Sequence, residues 1–190
     1  PPIDRLKGGD TVYLSACDSS GVMVSFIQSN YFGFGSGIVV PGTGIALQNR
    51  GWGFTLERGH PNEVAPDKKP FHTIIPGFLT KDDGPFGSFG VMGGPMQAQG
   101  HLQMINRIVN YHQNPQAASD APRWQILSDF GVALEPGFPS SIADGLAERG
   151  HKVKYMPSYH SFGGAQIILN HADGYVAGSD HRKEGAAVGF

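Results

Sequence analysis

Cysteine, net charge and long apolar runs are all scarce in this chain, and each scarcity excludes a class of protein. The 190 residues include one cysteine, so no internal disulfide can form. The formal net charge is -2, which gives no electrostatic reason to expect a nucleic acid or an anionic membrane surface as a partner. No apolar run is long enough to span a bilayer.

Glycine is abundant, with 28 residues, and the hydrophobic pattern changes from strands early in the chain to helices later. Residues 12–17 and 22–28 are rich in β-branched and aromatic side chains, and the turn Asp18–Gly21 between them predicts a hairpin. Further strands are predicted at residues 73–79, 88–92, 153–155, 166–169 and 174–177. Periodicity alone therefore indicates an α/β or α+β protein.

Three helices are predicted in the second half of the chain. Residues 96–112 have a helical period that would place Leu102, Ile105, Ile108 and Val109 on one apolar face. A short helix to Asp120 should follow. Another helix is predicted over residues 141–149, with a capping box formed by Ser141 and Asp144 and with Gly150 just past its end.

The junction between Asp10 and Thr11 contains the residue with the clearest chemical potential. A hydroxyl group where a loop enters a strand can attack the carbonyl group just before it, which would cut the chain at Asp10-Thr11. The freed α-amine of Thr11 has an ordinary pKa of roughly 7.7–8.0, so it can serve as general base for the hydroxyl nucleophile. Most threonines that begin strands are simply β-forming residues, so this position needs support from the rest of the chain.

That support comes from motifs that occur in a fixed order. They are Gly9-Asp10-Thr11, Asp18-Ser19-Ser20-Gly21, Val24-Ser25-Phe26-Ile27-Gln28-Ser29, Phe34-Gly35-Ser36-Gly37-Ile38, Pro61-Asn62, Pro66-Asp67-Lys68-Lys69-Pro70, Gly93-Gly94, Ala121-Pro122-Arg123, Gly178-Ser179-Asp180-His181-Arg182 and Gly185-Ala186-Ala187. With them, residues 8–190 resemble the small, C-terminal subunit of the γ-glutamyltransferase family, which belongs to the N-terminal nucleophile hydrolases.

The resemblance implies an α+β fold, the four-layer αββα sandwich, of which this chain would be the small-subunit half. Residues 1–10 would be the remnant of a linker before the self-cleavage site, and residues 11–190 the catalytic small subunit. The chain as given begins ten residues before Thr11; if Pro1 is the real terminus, the Thr11 amine is held in a peptide bond and we expect a precursor or an inactive form.

The same resemblance implies four catalytic positions. Thr11 would be the nucleophile, and Ser29 matches the hydroxyl residue that supports the nucleophile in relatives. Gly93 and Gly94 match the pair whose backbone N–H groups form the oxyanion hole. Independently of the family, this pair ends a predicted strand and precedes a predicted helix, where two N–H groups can point at one oxygen. The alternatives are an ordinary end-of-strand hydroxyl for Ser29 and a plain strand-to-helix turn for the glycines.

Departures from the family pattern point to the substrate. True γ-glutamyltransferases hold the substrate's α-ammonium group with an acidic residue, and Gly53 stands at that position here. Arg50 replaces a neighbouring Gln or Glu, and His72-Thr73 replaces the family's usual serine pair. A guanidinium group suits a carboxylate. We therefore expect an acyl group with a carboxylate and no α-amine, as in glutaryl-type cephalosporin acylases and oxamate amidohydrolases. The alternative is that Arg50 is a surface cation and Gly53 eases a turn.

Several other residues have chemistry that could belong to a site. Tyr31, with Phe32 and Phe34, is a candidate pocket-lining residue, although aromatic clusters more often form core. The eight histidines form no metal-ligand motif; His112, His151, His160 and His171 are interpreted as surface or hydrogen-bonded residues. Asp180 and Arg182 are predicted to form a structural ion pair.

Three functions remain open on the sequence alone. The first is a self-processing amidohydrolase or acylase that cleaves a small-molecule amide through an acyl-threonine and needs no metal or organic cofactor. The second is a true γ-glutamyltransferase or glutathione hydrolase, and the third is a non-catalytic binding module. The resemblance also implies a large subunit from the same precursor, allows a dimer of heterodimers, and leaves the cellular compartment undecided.

Overall fold

The computed structural model describes residues 9–190; residues 1–8, which hold most of the expected linker remnant, lie outside the described residues. The chain begins with the predicted hairpin, strands β1 (Gly9–Cys17) and β2 (Met23–Phe32), which pair antiparallel. Asp18 closes the turn, because its Oδ1 atom accepts hydrogen bonds from the backbone N–H groups of Ser20 (2.9 Å) and Val22 (3.1 Å).

The remaining elements combine strands and helices. In chain order they are β3 (Gly77–Lys81), β4 (Gly84–Met92), α1 (Met96–Ile105), a π-helical turn (Asn106–Asn110), α2 (Pro115–Asp120), β5 (Trp124–Ile126), β6 (Val132–Leu134), α3 (Ser140–Glu148), β7 (Val153–Tyr155), β8 (Gly164–His171) and β9 (Gly174–Ser179). Short 3₁₀ turns lie at Arg50–Gly53 and His160–Phe162.

The main sheet separates the hairpin from the helices. Its strands run β3-β4-β8-β9, and every neighbouring pair is antiparallel. Alternation along β4 places Phe89 and Val91 in a buried cluster with Met104 of α1, on the helix side. On the other side, Gly90 leaves room for the ring of Tyr13 from the hairpin, since a Cβ atom there would lie 2.4 Å from that ring. Hairpin, sheet and helices thus form three stacked layers, as expected for part of an αββα sandwich.

A smaller sheet closes one end of the molecule. Strand β5 pairs antiparallel with β6, and β6 pairs parallel with β7. The connection from β6 to β7 runs through α3, whose Ala143 packs with Val132 and Leu134. None of the helices among the described residues has the length and hydropathy that a membrane crossing requires.

The outer face of the hairpin is apolar and exposed. Its side chains alternate, so that Thr11, Tyr13, Ser25 and Ile27 face the main sheet while their neighbours face outward. The exposed apolar side chains on the outer face are Val12, Leu14, Val24 and Phe26.

The structure corrects the predicted face of the first long helix. Ile105 and Ile108 pack in the core, but Leu102 is 60% exposed and Val109 is 47% exposed. Buried polar residues take part of that face instead, because Gln103 is satisfied by hydrogen bonds to the carbonyl group and N–H group of Trp124. The π-helical turn at Asn106–Asn110 then rotates the following residues about the helix axis, so that different side chains face the core.

Two further predictions about local structure need correction. Helix α3 begins at Ser140 after Pro139 and has no side-chain cap, so the capping box of Ser141 and Asp144 was wrong. The strand predicted from residue 73 begins only at Gly77. The predicted helix end is confirmed, because Gly150 has a φ of 89° and its N–H group donates to the carbonyl of Ala147 at 2.9 Å.

Candidate active site

Thr11 and Ser29 lie directly opposite each other in the hairpin. They are register partners between β1 and β2, and both side chains point toward the main sheet. The Thr11 hydroxyl group donates a hydrogen bond to the Oγ atom of Ser29 at 2.9 Å, and Thr11 is only 5% exposed. The hydroxyl group of Thr11 is therefore held in one direction before any substrate arrives.

An irregularity in the hairpin lies between Gly9 and Thr11, the stretch that contains the Asp10-Thr11 bond. Gly9 pairs with Phe32 but Thr11 pairs with Ser29, so the register shifts between these two pairs. Opposite the shift, Tyr31 has a φ of 78°, which is uncommon for a residue other than glycine. This backbone conformation aims the Tyr31 N–H group at the Ser29 Oγ atom, 2.9 Å away. Such bulges often re-aim a side chain beside an active site.

A cavity of about 440 Å³ opens beside Thr11. It brings together residues from distant parts of the chain, including the predicted site residues Thr11, Tyr31, Thr73, Gly93 and Gly94. Its aromatic side is continuous, because the rings of Tyr31 and Phe32 have centroids 3.9 Å apart and that of Trp52 lies 5.9 Å from Phe32. A cavity of this size accommodates a small organic molecule.

Gly93 and Gly94 form the turn between β4 and α1, at the cavity wall. Their carbonyl groups accept from the N–H groups of Met96 (3.2 Å) and Gln97 (3.0 Å), so the first turn of α1 fixes their peptide planes. Gly93 has a φ of 140°, and a Cβ atom there would lie 2.8 Å from the Cα atom of Gly163. The turn therefore requires glycine at position 93, for both conformation and space.

Arg50 lies behind Tyr31 rather than on the cavity wall. It is only 7% exposed, and its Cζ atom lies 4.9 Å from the centroid of the Tyr31 ring. Its Nε and Nη1 atoms are buried with no hydrogen-bond partner in the described part of the chain. Burial lowers the pKa of Arg50, and Tyr31 partly opposes this effect. The alternative of a surface cation is thus contradicted, and two buried donors lack an acceptor.

Thr73, Gly53 and His72 were also predicted to bind substrate, and of these three Thr73 alone lies on the cavity wall. Thr73 lines the cavity, and its buried hydroxyl group has no hydrogen-bond partner among the described residues. Gly53 and His72 do not line the cavity. A Cβ atom at Gly53 would lie 3.2 Å from the carbonyl oxygen of Phe71, so this glycine permits two loop segments to approach closely.

The sequence analysis missed part of the cavity wall. His160, interpreted as a surface or hydrogen-bonded residue, lines the cavity together with Ser161 and Lys183. Trp52 was also missed, and it contributes to the aromatic side. Lys183 directly follows the Asp180-His181-Arg182 motif, and this adjacency is the one signal that could have singled it out.

The predicted pair of Asp180 and Arg182 is confirmed as part of a larger buried network. Asp180 accepts from Arg123 at 2.6 Å and from the N–H group of Ala165 at 2.7 Å, while Arg182 pairs with Glu135 at 2.6 Å and with Asp180 at 3.1 Å. Burial alone would raise the pKa of Asp180, but Arg123 and the N–H donors outweigh it and leave that pKa below its ordinary value.

Comparisons with known proteins agree with this architecture. The family model described as gamma-glutamyltranspeptidase matches residues 2–190. The chain is 37% identical over 197 residues to the glutathione hydrolase-like YwrD proenzyme of Bacillus subtilis, covering 100% of this chain and 38% of that protein. It is 38% identical over 189 residues to the oxamate amidohydrolase proenzyme of Klebsiella pneumoniae, covering 96% of this chain and 36% of that protein.

A solved structure gives the same result for the fold. The crystal structure of cephalosporin acylase from Bacillus halodurans matches with a TM-score of 0.85 and 53% identity, over 92% of this chain and 33% of that one. The chain thus spans about a third of the length of these relatives, from 33% to 38%. The match of the family model over nearly the whole sequence, together with the shared fold, shows that this chain belongs to the gamma-glutamyltranspeptidase family.

Proposed function

We propose that the protein containing this chain is an amidohydrolase or acylase that activates itself by cleavage between Asp10 and Thr11. Its substrate is an amide whose acyl group carries a carboxylate. The observation that carries the proposal is the Thr11–Ser29 hydroxyl pair at 2.9 Å, which borders a cavity that also contains the Gly93-Gly94 turn. A nucleophile and a group of oxyanion donors are the two requirements of acyl transfer.

Maturation begins when the Thr11 Oγ atom attacks the carbonyl carbon of Asp10. The C–N bond breaks as an ester forms on Oγ, and water then hydrolyses the ester to release the Asp10 carboxylate and the Thr11 α-amine. The register shift between Gly9 and Thr11 supports the step, because a regular strand would hold the peptide in its ladder hydrogen bonds. The relatives in Bacillus subtilis and Klebsiella pneumoniae are both named proenzymes.

Catalysis then uses the freed amine as general base. The amine takes the proton of the Thr11 hydroxyl group while Oγ attacks the amide carbon, and the N–H groups of Gly93 and Gly94 stabilise the oxyanion. The Ser29 hydroxyl group, 2.9 Å from the Thr11 oxygen, orients the nucleophile. The leaving amine receives the proton, and water hydrolyses the acyl-threonine to regenerate the enzyme.

The acyl specificity follows from Arg50 and from the charge of the cavity. The Nε and Nη1 atoms of Arg50 lack an acceptor among the described residues, and a carboxylate that reaches the guanidinium group behind Tyr31 would supply one. Among the described residues that line the cavity there is no aspartate or glutamate to hold an ammonium group. Both observations favour a carboxylate without an α-amine over a γ-glutamyl group.

The rest of a longer precursor is the proposed partner of this chain. The relatives are about three times its length, and the outer face of the hairpin exposes four apolar side chains. A large subunit from the same precursor would cover that face and complete the substrate site. A dimer of such heterodimers remains a proposal from the family resemblance.

The first experiment measures the intact mass of the full-length gene product before and after incubation at neutral pH. We expect a fragment that begins at Thr11 in the native protein and in a Thr11→Ser variant, which retains a hydroxyl nucleophile. The Thr11→Ala variant should remain uncut, because it has no nucleophile. If the native protein also remains uncut, the binding-module alternative replaces this proposal.

The second experiment compares two nitroanilides that differ only in the acyl α-amine, the glutaryl and the γ-glutamyl compound. We expect the mature enzyme to prefer the glutaryl compound in kcat/KM. Arg50→Met should remove about tenfold or more of that activity, since a hydrogen bond to a charged group contributes roughly 1.5–3 kcal/mol. Arg58→Met, which alters an exposed arginine, is the matched control. A preference for the γ-glutamyl compound would instead identify a true γ-glutamyltransferase.

A further inference from the structure

Lys183 is a charged residue on the cavity wall that no step described above uses. Among the described residues that line the cavity it is the one lysine or arginine, and no acidic side chain accompanies it there. Its ammonium group therefore has no carboxylate partner on the wall. A cation in this position makes the cavity attractive to an anionic group of a ligand.

The aliphatic part of Lys183 crosses the backbone beside the oxyanion turn. A Cβ atom on Gly164 would lie 2.4 Å from the Cγ atom of Lys183 and 3.0 Å from its Cε atom, so the side chain lies flat against this glycine. Gly164 pairs with Met92 across strands β4 and β8, and Met92 directly precedes Gly93. Lys183 and the Gly93-Gly94 turn accordingly lie on the wall of the same cavity.

The main chain that carries Lys183 is rigidly held. The N–H group of Lys183 donates to the carbonyl of Asp180 at 3.1 Å. Asp180 and Arg182 on the same turn are both buried and are paired with Arg123 and Glu135. The charge of Lys183 is consequently positioned before a ligand binds, which reduces the entropy lost on binding.

Lys183 and Arg50 belong to separate elements, and of the two Lys183 alone lies on the cavity wall. Arg50 stacks behind Tyr31 near the end of β2, whereas Lys183 follows β9 and packs against Gly164. Resting on the proposed amidohydrolase function, in which Arg50 holds the acyl carboxylate, we infer that Lys183 binds a second carboxylate, carried by the leaving amine. The preferred substrates are then amides with an anionic group on each side of the scissile bond.

The test uses two glutaryl nitroanilides that share the acyl group, one of which carries an additional carboxylate on the aniline ring. The processed full-length enzyme should prefer the carboxylated compound by about tenfold in kcat/KM. In Lys183→Met the preference should disappear through a higher KM, with the plain anilide changed less than about twofold. Lys183→Arg should keep most of the preference, because it keeps the charge.

Lys154→Met, at an exposed lysine of β7, is the matched control and should change neither rate. The inference is overturned if Lys183→Met loses the same fraction of kcat/KM on both anilides. It is also overturned if the native enzyme does not prefer the carboxylated anilide. An enzyme that hydrolyses neither compound contradicts the proposed function instead. Calorimetry with the two free leaving amines, amino-nitrobenzoate and nitroaniline, then tests whether Lys183 binds the carboxylate. We expect amino-nitrobenzoate to bind the native enzyme but not Lys183→Met, and nitroaniline to bind neither.

Discussion

His101 is a single residue that supports the backbone of β4 just before the Gly93-Gly94 turn. It lies on the buried face of α1, and its Nε2 atom accepts a hydrogen bond from the Val91 N–H group at 3.0 Å. Strand β3 pairs with β4 only as far as Phe89, so His101 satisfies a backbone group just beyond the end of that ladder. Burial lowers the pKa of His101 from 6.5 to about 4, which keeps Nε2 available as an acceptor.

The lowered pKa of His101 predicts an acid-sensitive stability. Because the folded pKa of about 4 lies below the unfolded value of 6.5, the contribution of this group is complete above pH 6.5 and is lost as the pH falls toward 4. The loss should be about 3 kcal/mol in the free energy of unfolding. Urea denaturation at several pH values measures it. The same pH dependence in a His101→Gln variant would contradict the assignment.

The local sequence was sufficient to predict the hairpin and the face of β2 on which Ser29 lies, whereas the role of Ser29 beside Thr11 was implied only by the family resemblance. The turn at Asp18 fixes the hairpin register, and the strand period of two then determines which side chains share a face. The position of Arg50 behind Tyr31 and the presence of His160 and Lys183 on the wall could not be predicted. These contacts join segments far apart in sequence, and no local pattern encodes them.

At the scale of elements, the two glycines in the turn between β4 and α1 differ in the space available for a side chain. A Cβ atom at Gly93 would collide with Gly163 at 2.8 Å, whereas at Gly94 it would meet nothing within 4 Å. Gly93→Ala should therefore displace the donors and lower kcat by about 10²-fold to 10³-fold, with little change in KM. Gly94→Asn should keep substantial activity, because asparagine tolerates a φ of 57°. Steady-state kinetics on the glutaryl anilide measure both, and equal losses would contradict this model of the turn.

Helix α1 shows why a predicted element can be correct while its buried face is wrong. The 3.6-residue period assigns apolar residues to the core, but Gln103 and His101 are buried because backbone groups nearby need their side chains. Such polar burial depends on partners in Trp124 and Val91, which the helix sequence does not contain. The strands of the hairpin were easier to predict, since their pairing is local.

At the scale of the whole molecule, the buried ion network connects the C-terminal part of the chain to the small sheet. Arg123 is 1% exposed and its charge is compensated chiefly by Asp180. Asp180→Asn should lower the free energy of unfolding by about 3–5 kcal/mol, because it leaves a buried guanidinium group without its counter-charge. Urea denaturation of the full-length protein measures this effect.

The exposed pair of His181 and Asp120 provides the control for the network. Both side chains are 47% exposed, so Asp120→Asn should cost less than about 1 kcal/mol. Within the buried network, the pKa of Asp180 is lowered. The contribution of the Asp180 carboxylate to the free energy of unfolding should therefore be present at neutral pH and decline as the pH falls through that pKa. Similar costs for the two substitutions would contradict the assigned role of the buried network.

The sequence by itself determined the local and ordered features of this protein: the hairpin, the Asp10-Thr11 junction, the Gly93-Gly94 turn and, through the order of its motifs, the family. Each of these depends on neighbouring residues or on spacing along the chain. Only the tertiary structure decided which residues surround Thr11, how Arg50 and Lys183 are placed, and which polar groups are buried. Those outcomes arise from long-range packing between layers, where burial and hydrogen-bond satisfaction are shared by segments that sequence patterns treat separately.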